Sequence, residues 1–405
     1  MTDLLIENAL LPDGTRAAAI AVSGGRIEAI LPPGAPRPQA GETADVGGRL
    51  VAPGFVEGHI HLDTSFWGDA WFPYKPCTDG FDVHERVAFQ HENLAEAAPL
   101  AVRARNQLEL CLAQGSTRMR SHVMIDLTVG LGHVETLLAV REEYAGLIDL
   151  QLCAFPQNGI LHSPGVAEMM DEAMGMGCDV VGGLDPATFD RDVEGHLNVV
   201  FEIAERRGAP IDIHLHDHGT LGVFEIERIC ERTVAAGMQG RVGVSHAYGL
   251  GDVDPGAQRK AADRLAAAGV AIMTTAPGAH GFPPVAILRE AGATVWSGCD
   301  NIRDSWSPYG DGDMLGRAQM IGYRSGLRTD AELAAAFDIV TEAGAKVLGL
   351  TDYGLRAGAA ADFVTIPAAH VPEAVAGAPG GREVWKNGRR IARDGRLLPE
   401  LSRLG

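Results

Sequence analysis

The amino-acid sequence predicts an α/β protein: a (β/α)8 TIM barrel with a small β-sandwich domain formed by both chain ends. Three observations predict it. Eight short apolar runs alternate with longer helical stretches through the middle of the chain, which suits a closed parallel barrel better than an open doubly wound sheet. Hairpin-patterned segments flank this stretch on both sides. Four of the eight runs end in histidine or aspartate motifs, at the strand ends where such barrels carry their chemistry. A chain of 405 residues, 46% of them hydrophobic, has material for one large barrel and a satellite.

At the N-terminus, LLIENALLPDG and AAAIAVSGGRIEAILP are apolar runs broken at Asp13-Gly14 and Gly24-Gly25, which are hairpin signals. At the far end ADFVTIPA (361–368) and REVWKNGRRIARDG (382–395) read as strands, with Asn387-Gly388 a type I′ turn. Neither end holds a core alone. Residues 1–52 and 357–405 are therefore expected to form one composite domain around a barrel of residues 53–356. Barrel strands are expected at Val51–Ile60, Thr117–Val123, Asp149–Phe155, Asp179–Gly183, Ile211–His216, Gly240–His246, Val270–Thr275 and Thr294–Gly298. Helices are expected at Val83–Gln114, Gly132–Tyr144, Val166–Met176, Val193–Arg207, Val223–Ala236, Asp254–Ala268, Pro283–Ala291 and Asp330–Ala343. The aromatic-rich connection Ser65–Asp82 reads as a lid or substrate wall, or alternatively as packing against a neighbouring subunit.

Composition excludes several function classes. Lys+Arg 34 against Asp+Glu 53 gives a net charge of −19, and no basic tract offsets it, so nucleic-acid binding is not expected. The six cysteines are scattered without a CxxC pair, which argues against a zinc knuckle or a redox dithiol. The N-terminus shows no secretory pattern and no run reaches 18 apolar residues, so a cytoplasmic protein with no membrane partner is expected.

The chemistry-bearing residues follow in chain order. His59 and His61 lie two apart at the end of the first strand, where alternate residues share a side and can hold one metal ion. His214 and His216 share the face of the fifth strand, with Asp217 at the strand-to-loop junction and His218 after it. His246 ends the sixth strand, and Asp300-Asn301 follow the eighth. His59, His61, His214 and Asp300 match the ligands of a hydrolytic Zn2+ or Fe2+ site, where the metal makes hydroxide available near neutral pH. Asp300 would also hold the water, His246 would polarise the attacked group, and Asp217 would shuttle the proton to the leaving nitrogen. Only four lysines occur, and none lies between Lys75 and Lys260. With no lysine on the fourth strand to bridge two ions, one divalent metal ion per chain is expected.

HIHLD, HLHD, SHA and CDN, flanked by the β-rich ends, resemble the amidohydrolase superfamily, and TRMRSHV and IDLQLCAFPQNG resemble its cytosine deaminase branch. That resemblance implies metal ligands at His59, His61, His214 and Asp300, His246 beside the attacked carbon, and Gln157 on a ring carbonyl or amide. The glutamate that follows the fifth-strand histidine in bacterial cytosine deaminases is replaced here by Asp217. GGLDPAT (182–188), HLHDHGT (214–220) and DNIRD (300–304) instead resemble the N-isopropylammelide isopropylaminohydrolases, which strip an alkylamine from a triazine ring. The implied activity is metal-dependent hydrolytic deamination of a small cyclic amidine, pyrimidine or N-substituted aminotriazine. Its implied partners are a neutral heterocyclic substrate and water. Asp185, Gln157, Asn158 and Asn301 would read ring groups, Trp306 and the aromatics of 66–74 would cover the ring faces, and His216 and His218 would line the pocket or support the metal ligands. A ring-opening cyclic-amide hydrolase and a catalytically silent metal-bound binding protein stay open as alternatives, as does association into a homo-oligomer.

Overall fold

The computed structural model describes residues 2–16, 18–278 and 281–404. Residues 1, 17 and 405 of the expected composite domain, and 279–280 of the expected barrel, lie outside the described residues.

Strands β1 (Thr2–Ala9), β2 (Ala18–Ser23), β3 (Arg26–Leu31) and β4 (Ala40–Asp45) form a sheet of order β3-β2-β1-β4, with β4 parallel to β1. Gly24 and Gly25 both take positive φ (56° and 73°), the mirror-image turn that matches strand twist in a two-residue hairpin. The expected strand Val51–Ile60 is two strands, β5 (Leu50–Pro53) and β6 (Phe55–Ile60), which enter different sheets. The break falls at Gly54, which passes so close to Thr117 that a Cβ there would lie 2.3 Å from its hydroxyl.

The barrel is β6, β7 (Ser116–Ile125), β8 (Asp149–Pro156), β9 (Val180–Leu184), β10 (Ile211–Leu215), β11 (Val242–His246), β12 (Val270–Met273) and β13 (Val295–Trp296), all parallel and paired in sequence order. The N–H of Asp300 donates to the carbonyl of His59 (2.8 Å), which closes the barrel at the motifs themselves. Inside, Trp296 is fully buried; Cβ atoms at Gly58 or Gly243 would each lie 2.6 Å from its ring, so glycine there makes its room. The expected helix Val83–Gln114 is divided into α1 (Val83–Glu96) and α2 (Leu100–Gln114), because Pro99 cannot continue a helical hydrogen-bond ladder. The helix Met314–Arg324 was not anticipated; Asp313 caps it by accepting from the N–H of Leu315. The expected helix Asp330–Ala343 ends at Ile339, and a separate helix, Glu342–Val347, follows.

Beyond the barrel, β14 (Phe363–Ile366), β15 (Glu383–Lys386), β16 (Arg389–Arg393) and β17 (Arg396–Leu397) join β5 in the order β17-β16-β15-β14-β5. Asn387 and Gly388 take φ 50° and 74°, as a type I′ turn requires. A shared core of Ile6, Ile20, Val22, Val51, Phe363 and Trp385 unites the sheets from the two chain ends.

Candidate active site

The end of β6, the C-terminal half of β7, the ends of β10 and β11 and the segment after β13 bring histidines and one aspartate together. His59 Nε2 and His61 Nε2 each lie 3.4 Å from Asp300 Oδ1, and His214 Nε2 lies 3.3 Å from His61 Nε2. His59, His61 and His214 form one group whose ligand atoms all lie within 4.8 Å of one another, and His59, His246 and Asp300 form a second, so two overlapping donor groups share His59. His246 Nδ1 lies 4.0 Å from Asp300 Oδ2. Among the described residues, His59 Nε2 and both ring nitrogens of His246 are buried without a hydrogen-bond partner. Buried polar atoms left unpaired are costly, so a cluster of them directed at one point fits a cation.

The second layer prepares these donors. Ser245 Oγ donates to Asp212 Oδ1 (2.7 Å), so it accepts from Nδ1–H of His59 (3.0 Å), which leaves the His59 Nε2 lone pair free for a ligand bond. Burial pushes the pKa values of His59, His214 and His246 down, the last two well down, which keeps the rings neutral. Burial acts the same way on His61, but hydrogen bonding to and the charge of Asp300 outweigh it and raise the value. Asp300 is held well below the carboxylate range: burial opposes this, and the histidines around it prevail.

A cavity of about 320 Å3, partly open to solvent, lies over the cluster. His61, His214, His246 and Asp300 form part of its lining, with Gln157, Asn301, Phe155 and Leu184. His216 stacks on His246 (centroids 4.5 Å apart, 22° between planes), and Trp306 stacks on His216 at 6.2 Å. Phe155, Leu184, Phe189, Val83 and Val87 form a separate apolar cluster against Trp306. Asn301 donates its amide to Asp304, whose carboxyl burial pushes up to about 6. Phe81, at the end of the expected lid segment, lies 6.5 Å from Trp306, while Trp67 and Trp71 cover the Arg303 guanidinium. Arg303 thus sits against the aromatic segment.

Four expected site residues lie outside the described cavity lining: Asp217, Asp185, His218 and Asn158. Strand β10 ends at Leu215, and in the irregular segment after it His216 faces the cavity whereas Asp217 does not line it. The Asp217 carboxylate accepts from the Thr188 hydroxyl and faces Glu225. Asp185 stands behind His216 and accepts from its Nδ1–H at 2.8 Å. His218 is half-exposed at the start of the helix α6 of residues 219–235 and pairs with Asp252 at 2.7 Å. Asn158 donates to Asp126 (3.1 Å) and does not line the described cavity.

Other members were missed. His122 on β7 is fully buried, 4.0 Å from His59 between ring centroids; its Nε2 lies 3.7 Å from Asp212, and neither of its nitrogens has a hydrogen-bond partner among the described residues. The alternation Arg118, Arg120, His122 in a predicted barrel strand was its available signal. Gln90 lines the cavity from α1, and no spacing rule pointed to it.

A model of the amidohydrolase family matches residues 42–392. The N-isopropylammelide isopropyl amidohydrolase of Pseudomonas sp. (strain ADP) is 32% identical over 400 residues, covering 97% of this chain and 98% of that one. The crystal structure of N-isopropylammelide isopropylaminohydrolase from Burkholderia multivorans superposes with a TM-score of 0.92 at 38% identity, over 98% of this chain and 100% of that one. The 5-methylcytosine deaminase of Klebsiella pneumoniae, solved with phosphonocytosine, gives 0.84 at 28% identity, over 96% and 98%. The chain belongs to the amidohydrolase family, hydrolases of carbon–nitrogen bonds.

Proposed function

We propose that this amidohydrolase is a metal-dependent hydrolytic aminohydrolase that removes an amine from a small, neutral cyclic amidine, either a pyrimidine or an N-substituted aminotriazine. The observation that carries the reading is the convergence of His59, His61, His214 and Asp300, with both His59 and His61 at 3.4 Å from Asp300 and His214 at 3.3 Å from His61, at one wall of a cavity otherwise lined by amides and flat rings. One divalent ion per chain, Zn2+ or Fe2+, suits this set, and when bound it would lower the pKa of water toward neutrality.

The side chains divide the remaining work. Asp300 accepts a proton from the attacking water while His246 polarises the ring C=N carbon beside it. We assign the onward transfer to His216, not Asp217: its Nδ1 is anchored on Asp185, so Nε2 is the atom left to carry a proton. The water oxygen bonds to the ring carbon, one water proton reaches the departing nitrogen and the other the adjacent ring nitrogen, and the exocyclic C–N bond breaks to leave a ring carbonyl and an amine. Gln157 and Asn301 would read the ring edge, and Trp306 would cover a face. The apolar cluster beside Trp306 favours a ring or leaving amine with an alkyl group.

The test incubates metal-loaded protein with cytosine, isocytosine, creatinine, aminotriazines and N-alkylaminotriazines. Release of ammonia or alkylamine with the ring intact is the expected result. Ring opening without amine release would replace the reading with cyclic-amide hydrolysis, and binding without turnover would leave a silent binding protein.

A further inference from the structure

Gln90 carries information that the rest of the cavity needs. The Trp306 indole nitrogen lies 2.6 Å from one end of its amide. An indole N–H only donates, so that end is Oε1 and the NH2 group points the other way. That NH2 lies 3.4 Å from the Gln157 amide and 3.3 Å from Met124 Sδ. Two NH2 groups cannot bond to each other, so Gln157 turns its oxygen to Gln90 and keeps its own NH2 for the cavity it lines.

The relay is fixed in place. Gln90 and Gln157 are buried, at 1% and 3% exposure. One turn earlier on α1, the buried Arg86 guanidinium donates to the carbonyl of Ser305 (2.8 Å), next to Trp306, and thereby holds helix and loop together.

We propose that Gln90 is a positioning residue that determines specificity: by fixing the sense of the Gln157 amide, it makes the site select a ring acceptor, a carbonyl, over a ring amino group at that position. The inference rests on the reading of the cavity as a heterocycle site. It goes beyond the contact of Gln157 with a ring, because it says which end of the amide is presented and which residue decides it.

The experiment measures calorimetric Kd values of metal-loaded protein for pyrimidin-2-one and 2-aminopyrimidine, which differ by a carbonyl or an amino group at one ring position. The native protein is expected to favour pyrimidin-2-one by about tenfold or more, the cost of leaving a buried donor unpaired. Gln90→Glu offers acceptors to both neighbours, turns Gln157 round, and is expected to reverse the preference. Gln90→Leu removes both bonds without adding charge, and is expected to bring the two constants within about threefold. A native protein without the preference, or a Gln90→Leu variant that keeps it unchanged, overturns the proposal. Turnover of the ring amines above is scored separately: amine release with an unchanged preference sinks the relay alone, whereas the predicted preferences without turnover sink the aminohydrolase reading alone. Failure of the native protein to bind either ring at millimolar concentration sinks both.

Discussion

Strand β7 runs between two clusters of titratable groups that are built in opposite ways. Near its start, Arg118 pairs with Asp149, Asp352 and Asp362, and Lys386 joins the same carboxylates at 2.6 Å from Asp149 and 2.7 Å from Asp362. One step on, Arg120 pairs with Asp212 (3.0 Å) and donates to Gln151 and to the carbonyl of Val347. Two residues further, His122 enters the cluster in which buried nitrogens have no partners. The same strand thus passes from charges neutralised by the protein to donors that the protein leaves open. The lower cluster ties the barrel to β14 and β15 and serves the fold; the upper one fits an added cation and serves chemistry.

Breaking the upper cluster should cost most. His59→Ala removes a donor whose orientation Ser245 has already set, and a drop in kcat/KM of about a thousandfold or more is expected. Metal analysis should show well below one ion per chain, while the circular dichroism spectrum stays native. About two tightly held ions in the native protein would instead overturn the single-metal argument from the missing lysine. The lower cluster should fail in the other manner. Lys386→Met leaves Asp362 with less compensation and is expected to destabilise the chain by about 3 kcal/mol in denaturant titration. Activity per folded molecule should hardly change; a loss of activity at equal stability would mean that the two clusters are coupled.

Ser245 lies between them, because it connects Asp212, the partner of Arg120, to His59. Ser245→Ala should weaken metal affinity by about 10- to 100-fold, read by competition with a chelator, with activity restored by excess metal. Loss of activity that excess metal does not restore would assign Ser245 a part in catalysis itself.

This division explains what the sequence could tell. Strand ends carrying His59, His61, His214, His246 and Asp300 were legible because each follows an apolar β run, and a barrel gathers strand ends whatever its loops do. The placing of Asp217 off the cavity was not legible, because β10 ends at Leu215 and strand alternation does not govern the segment that carries His216 and Asp217. Gln90 was not legible, since its partners Trp306 and Gln157 are 216 and 67 residues away and meet it only through tertiary packing. The split at Gly54 was hidden for the same reason, because an uninterrupted apolar run does not say which sheet each half will join.

The smallest effect tests what became of Asp217. Glu225 on α6 is fully buried, and its Oε1 accepts from the N–H of Ala187 at 2.9 Å. Burial first, and then the neighbouring Asp217 charge, push its carboxyl up to about 9. Of these two neighbouring carboxyls, Glu225 is the one that keeps a proton. In the unfolded chain Glu225 is ionised above its ordinary value of 4.5, whereas in the fold it stays protonated until about 9. Folding therefore takes up a proton across that window, and this group's contribution to stability falls as pH rises from 4.5 to 9, then levels off. Gln is neutral at every pH and can donate to Asp217 as the protonated acid does. Glu225→Gln should consequently match the native Tm near pH 5 and exceed it by a margin that widens toward pH 9, in thermal scans at fixed ionic strength. A margin that stays constant with pH would mean that Glu225 is ionised in the folded protein, and that Asp217 holds the proton in its place.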